Sequence, residues 1–235
     1  MKLRPSSSTQ AIPQVRHAIL AVVLLSIGVL AACSNAPKVP DWQIESKGAM
    51  DRSVAAYLEG NSRVEMSERS HAKQQLASAG RPDLMASAEL VHCAARVASL
   101  VWEPCPGFEA LRQDATPAQR AYADYLRGQV TADAIPLLPA AQRVAATRTN
   151  TDASALTGLD EPLSLLVAAS VLLQTGKANP AIIEQATAAA SGQGWRRPLM
   201  AWLGVQIQRA QQAGQTEEAA RLSRRMDLIR GPGSN

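Results

Sequence analysis

The chain has 235 residues, 24 of them basic and 20 acidic, for a formal net charge of +4. Three basic residues and no acidic ones fall in the first 32, so the other 203 carry 21 basic against 20 acidic and give no argument for nucleic-acid binding. Aromatic residues are only 3%, alanine is abundant and alternating Val, Ile and Thr clusters are missing, which predicts an all-α fold.

The first element is a leader. Lys2, Arg4 and Arg16 form a positive segment, and Ala18 to Leu30 is a 13-residue apolar run broken only by Ser26 and Gly28. A bilayer span needs about 20 apolar residues, so the run reads as a cleaved signal over residues 1–32. It ends in Leu30-Ala31-Ala32-Cys33, which resembles the lipobox of bacterial lipoproteins. That resemblance implies a diacylglyceryl group on the Cys33 thiol, cleavage after Ala32, and acylation of the new amino terminus. Several acyl chains anchor a protein stably where one chain binds only marginally. Ser34 in place of aspartate implies, by the enteric sorting rule, delivery to the outer membrane facing the periplasm.

Residues 33–41 form a tether containing Pro37 and Pro40, followed by a helical domain over 42–230. Met50, Val54, Tyr57 and Leu58 repeat at helical spacing until Gly60-Asn61. Ser62 to Ala79 is a more polar helix in which Glu65 and Arg69 form an i,i+4 pair. Gly80 ends it and Pro82 opens the next, where Leu84, Ala88, Val91, Ala95, Ala98 and Trp102 share a face. Pro104 and Pro106 break that helix, and Phe108 and Leu111 suggest a further turn. Thr116-Pro117 starts a helix with Ala118, Ala121, Tyr122, Tyr125 and Leu126 inward. Another is expected from near Leu138 to Thr147.

Residues 148–159 are polar and turn-rich, a possible subdivision of the domain. Asp160-Glu161-Pro162 then opens a helix whose Leu163 to Leu173 is apolar nearly all round, as a central helix would be. Asn179-Pro180 starts the next, with Ile182, Ile183, Ala186 and Ala190 inward. A helix from about Pro198 to Ala213 carries Leu199, Trp202, Leu203 and Ala210. Thr216 is expected to cap the last, where Ala219, Leu222, Met226 and Ile229 repeat, and residues 231–235 are a flexible tail. The segment Gly214-Gln215-Thr216-Glu217-Glu218-Ala219, and Leu58-Glu59-Gly60-Asn61 before it, resemble the turn of a tetratricopeptide unit. The expected architecture is therefore antiparallel helical hairpins, either an irregular tetratricopeptide-like solenoid or a bundle.

Chemistry is sparse. Cys93 and Cys105 are an even pair in an oxidising compartment and a candidate disulfide, provided the helix holding Cys93 stops in time for the chain to double back. His71 reads as solvent-facing and His92 as partly buried. The pairs Glu65/Glu68, Asp160/Glu161 and Glu217/Glu218 are explained by helix faces or helix starts. No nucleophile elbow, phosphate loop or metal-ligand spacing is present, so no catalytic residue, cofactor or metal is assigned. Trp195-Arg196-Arg197 is a possible interaction surface, since Trp and Arg are enriched at binding hot spots; packing of Trp195 on Trp202 or Leu199 is the alternative. The expected function is a non-catalytic, membrane-anchored scaffold binding another envelope protein. A peptidoglycan-acting enzyme and a lipid carrier are the alternatives.

Overall fold

A computed structural model describes residues 39–148 and 153–231. The leader, Leu30 to Cys33, and the end of the tail lie outside the described residues. Ten α-helices follow one another, with no strand among the described residues. They are α1 (Asp41–Glu59), α2 (Ser62–Ser78), α3 (Pro82–Ala98), α4 (Pro106–Glu109) and α5 (Pro117–Leu126), then α6 (Ala140–Thr147), α7 (Pro162–Gln174), α8 (Pro180–Gly192), α9 (Arg196–Gln212) and α10 (Thr216–Arg230). Short 3₁₀ turns at Ile135–Leu137 and Ala153–Leu156 flank α6.

Local chemistry sets most boundaries. Thr116 and Gln119 form a reciprocal capping box on α5, and the Asn179 side chain accepts from the Ile182 amide at the start of α8. The Glu161 carboxylate accepts from the amides of Leu163 and Ser164, so it caps α7. At the other ends, Gly60 and Gly214 take positive φ. The glycine's own amide and the one after it then donate to carbonyls of the preceding turn, as with Gly214 to Gln211 and Gln215 to Ala210.

Three expectations shift. The last helix begins at Thr216 with Gln215 as its cap residue and no side-chain capping bond, so Thr216 is inside the helix. The helix expected from Pro198 starts two residues earlier, with Trp195 at the cap position. The third helix ends at Ala98, before Trp102, and Val91 is 43% exposed rather than inward. There the left-handed position is held by Leu100 (φ 60°), the one non-glycine with positive φ among the described residues. Leu100 N–H donates to Val97 and Val101 N–H to Arg96, the same double closure seen at Gly60 and Gly214. This reversal carries Cys105 back to Cys93, and the two are disulfide-bonded at a Cα separation of 6.0 Å.

α3 and α7 pack together at the centre. Leu166, Val167, Ala168 and Ala169 of α7 are fully buried, and the main core extends from Ala86 to Met226. Ala145 before residues 148–159, Ala155, Leu156 and Leu159 within them, and Leu166 after them all belong to it, so this stretch contributes to the core and does not divide it. A smaller cluster (Ala49, Met50, Ala72, Leu76, Ala88) joins α1, α2 and α3. Distant elements are pinned as well. The Trp202 indole donates to the Ala98 carbonyl at 3.1 Å, and the Trp102 indole to the Ser170 hydroxyl at 2.8 Å. Helix α1 also packs on α9. A solenoid repeat touches only its neighbours, so these long-range contacts make a bundle of hairpins.

Candidate functional site

Helices α2 and α3 are joined by a short turn and run antiparallel, which sets one polar stripe against another. Glu65, Arg69 and Lys73 repeat every four residues on α2, while Glu89, His92 and Arg96 occupy one side of α3. The expected Glu65–Arg69 pair does not form as such. Arg69 turns instead to Glu89 at 2.5 Å, Lys73 reaches the other Glu89 oxygen at 2.8 Å, and Glu65 faces His92.

Glu89 is only 3% exposed. Burial raises its pKa, but the hydrogen bonds from Lys73 and Arg69 outweigh this and hold the carboxyl below its ordinary range. His92, at 7% exposure, is pushed down to about 4, first by burial and then by the Arg69 and Arg96 charges, so it is neutral at pH 7. Its Nδ1 is buried with no hydrogen-bond partner and sits 3.6 Å from the Glu65 carboxylate. Tyr57 of α1 meets the imidazole edge to face at 5.8 Å.

The disulfide lays Pro104 to Gly107 across α3 and closes a cleft of about 530 Å³. Arg69, Glu89, His92, Arg96 and Glu103 line it together with that segment. Gly107 is required there, because a Cβ at this position would overlap the Glu89 carboxylate. At the mouth, Glu103 pairs with Arg96 at 2.6 Å while its own side chain remains 73% exposed. The result is a preformed cleft that carries two guanidinium groups, one neutral imidazole, the buried Glu89 carboxylate and the exposed carboxylate of Glu103.

The other predicted residues are placed as follows. Trp195 is half-buried against Tyr57, Leu58 and Ala95, and Arg197 stacks over the Tyr57 ring at 4.3 Å and donates to Ser62. Of that trio only Arg196 is exposed. His71 hydrogen-bonds Gln75 and lies 4.0 Å from Glu45 at the surface. Glu68 pairs with Arg52, and Glu218 with Arg221. No group of three or more metal-ligating side chains occurs among the described residues, and none of the described helices is long and apolar enough to cross a membrane.

Glu89 escaped the sequence reading. The signal was available: it is an acidic residue in the middle of the most apolar helix of the first half, which requires either exposure or a buried partner. Comparison with family models, curated proteins and solved structures gives no match for this chain.

Proposed function

We propose that the chain is a bacterial lipoprotein, held at the periplasmic face of the outer membrane by lipid on Cys33, whose helical bundle binds another envelope protein. The observation that carries the reading is Cys33 at the end of Leu30-Ala31-Ala32, after a positive and then apolar leader. Only seven residues separate Cys33 from the first helix at Asp41. At about 3.5 Å per extended residue the tether holds the bundle within roughly 25 Å of its anchor. Interaction surfaces on helical bundles are built from rigid elements, and the disulfide together with the long-range indole bonds supplies that rigidity.

The test is metabolic labelling with an alkyne fatty acid, followed by in-cell crosslinking of the wild type and of a leader-exchanged Cys33→Ala form. Label on the wild type alone, with one discrete envelope partner crosslinked to both forms, is the expected result. An unlabelled wild type removes the anchor, and the absence of any partner in both forms removes the scaffold.

A second reading, an envelope hydrolase, is favoured by one observation, the buried Glu65–His92 pair beside a cleft. A carboxylate behind a neutral imidazole is an arrangement that general-base chemistry uses. Loss of glycan turnover in folded His92→Gln and Glu65→Gln variants would favour it over the scaffold.

A further inference from the structure

We propose that the α2–α3 cleft binds a small carboxylate that carries an adjacent hydroxyl or amine, its carboxylate taking the place of Glu103 on Arg96 and its donor bonding to His92. The inference rests on neither the anchor nor the partner assigned above.

Arg96 and His92 are four residues apart on α3, so their side chains leave the helix as neighbours on one face, about 6 Å apart at Cβ. Both line the cleft, so one small ligand can reach the two together. The Arg96 guanidinium already holds a carboxylate in the cleft mouth, that of Glu103. Glu103 sits on an irregular stretch between Leu100 and Cys105 and is mostly in solvent. An exposed ion pair of this kind is worth about 0–1 kcal/mol, so a ligand carboxylate displaces it at little cost. Arg69 also lines the cleft, but it and Lys73 are engaged by Glu89, so Arg96 is the cation offered to the ligand.

His92 provides the second half of the recognition. Its Nδ1 is buried, faces Glu65, and lacks a hydrogen bond. A carboxylate opposite Nδ1 favours the tautomer with the proton on that nitrogen, which makes Nε2 the acceptor of this cleft-lining imidazole. An acceptor in the same cleft as the Arg96 guanidinium selects a ligand that is anionic at one end and a donor at the other. A purely anionic ligand would meet the Nε2 lone pair with nothing to give it. The walls are set before binding: Cys105 is tied to Cys93, Pro104 and Pro106 stiffen the strap, and Glu89 packs against Gly107. The volume, about 530 Å³, is that of a small-molecule site.

The experiment follows the imidazole signals of His92 by proton–nitrogen NMR in the full chain, purified in detergent, during titration with lactate and separately with acetate. Lactate should move the His92 signals saturably, and acetate, which lacks the donor, should bind several-fold more weakly. Glu103→Gln removes the resident carboxylate at an exposed position where folding is not at stake, and should tighten lactate several-fold. Arg96→Gln should abolish the saturable response. His92 signals indifferent to lactate in both the wild type and Glu103→Gln would overturn the site. Acetate binding as tightly as lactate would overturn the role given to His92.

Discussion

The carboxylate of Glu89 fills the space in which a Cβ at residue 107 would stand, so Glu89 and Gly107 fix each other's position across the cleft. Glu89 cannot easily yield, because Arg69 and Lys73 hold both of its oxygens. Gly107→Ala should therefore destabilise the chain by about 1–3 kcal/mol, the usual cost of overpacking. Urea denaturation measures it. Shortening the acid relieves the overlap, so the same substitution in a Glu89→Asp background should cost clearly less; equal costs in both backgrounds would refute the coupling.

Leu100 turns the chain at φ 60°, a conformation that costs a side-chain-bearing residue about 1–2 kcal/mol. Leu100→Gly removes that strain but also deletes a half-buried leucine that packs on the main core. The two effects nearly cancel, and the expected net change is within about 1 kcal/mol. Leu166→Ala, at a fully buried site in a helix, should cost about 2–5 kcal/mol. Comparable losses for both variants would mean that the turn at Leu100 carries no strain.

The Cys93–Cys105 bridge closes a loop with a sequence separation of 12. Chain-entropy reasoning gives about 3 kcal/mol for a loop of this size. Unfolding free energies from urea denaturation should fall by that amount both in reductant and for Cys105→Ser. A midpoint indifferent to reductant would show that the bridge contributes nothing.

His92 makes stability depend on pH in a defined window. Its ordinary pKa of 6.5 falls to about 4 in the fold, so the unfolded chain binds the extra proton first. Its contribution is therefore fully present above pH 6.5 and is lost as pH falls from 6.5 toward 4. Around the ring stand Arg69, Lys73 and Glu65 from α2, Glu89 and Arg96 from α3, and Tyr57 from α1. Glu89 acts elsewhere in the range: its carboxyl lies below the ordinary 4.5, so its contribution is lost only in more acid solution. Thermal melts between pH 7 and 4.5 should show a decline in the wild type that is flatter in His92→Phe. Parallel curves for the two proteins would sink the assignment.

Arg196 and Arg197 are adjacent but unequal. Arg197 covers the Tyr57 ring and donates to Ser62, tying α9 to the α1–α2 turn, while Arg196 is exposed. Arg197→Ala should cost about 0.5–1 kcal/mol, the range of an exposed cation–π contact. Arg196→Ala should change stability by less than about 0.5 kcal/mol. If a partner binds this corner, Arg196→Ala should weaken crosslinking while stability holds.

The all-α class and most helix limits are legible in local sequence. Thr116-Pro117, Asn179-Pro180, Gly60 and Gly214 set such limits through hydrogen bonds that reach only three to five residues along the chain, so the needed partners are all in the local sequence. The sequence also made Cys93 and Cys105 a candidate pair, but left open whether the helix would stop in time. Tertiary structure decided that, because the stop at Leu100 uses a leucine where a glycine would have been legible. It likewise decided the charges. Arg69 had Glu65 one turn away on its own helix, yet it pairs with Glu89, 20 residues along, which the antiparallel packing of α2 on α3 brings inside the bundle. An exposed intrahelical pair is worth a few tenths of a kcal/mol, whereas a buried carboxylate without a cation is costly, so the buried partner wins. Burial of that kind depends on which helix faces which, and no local stretch of sequence contains it.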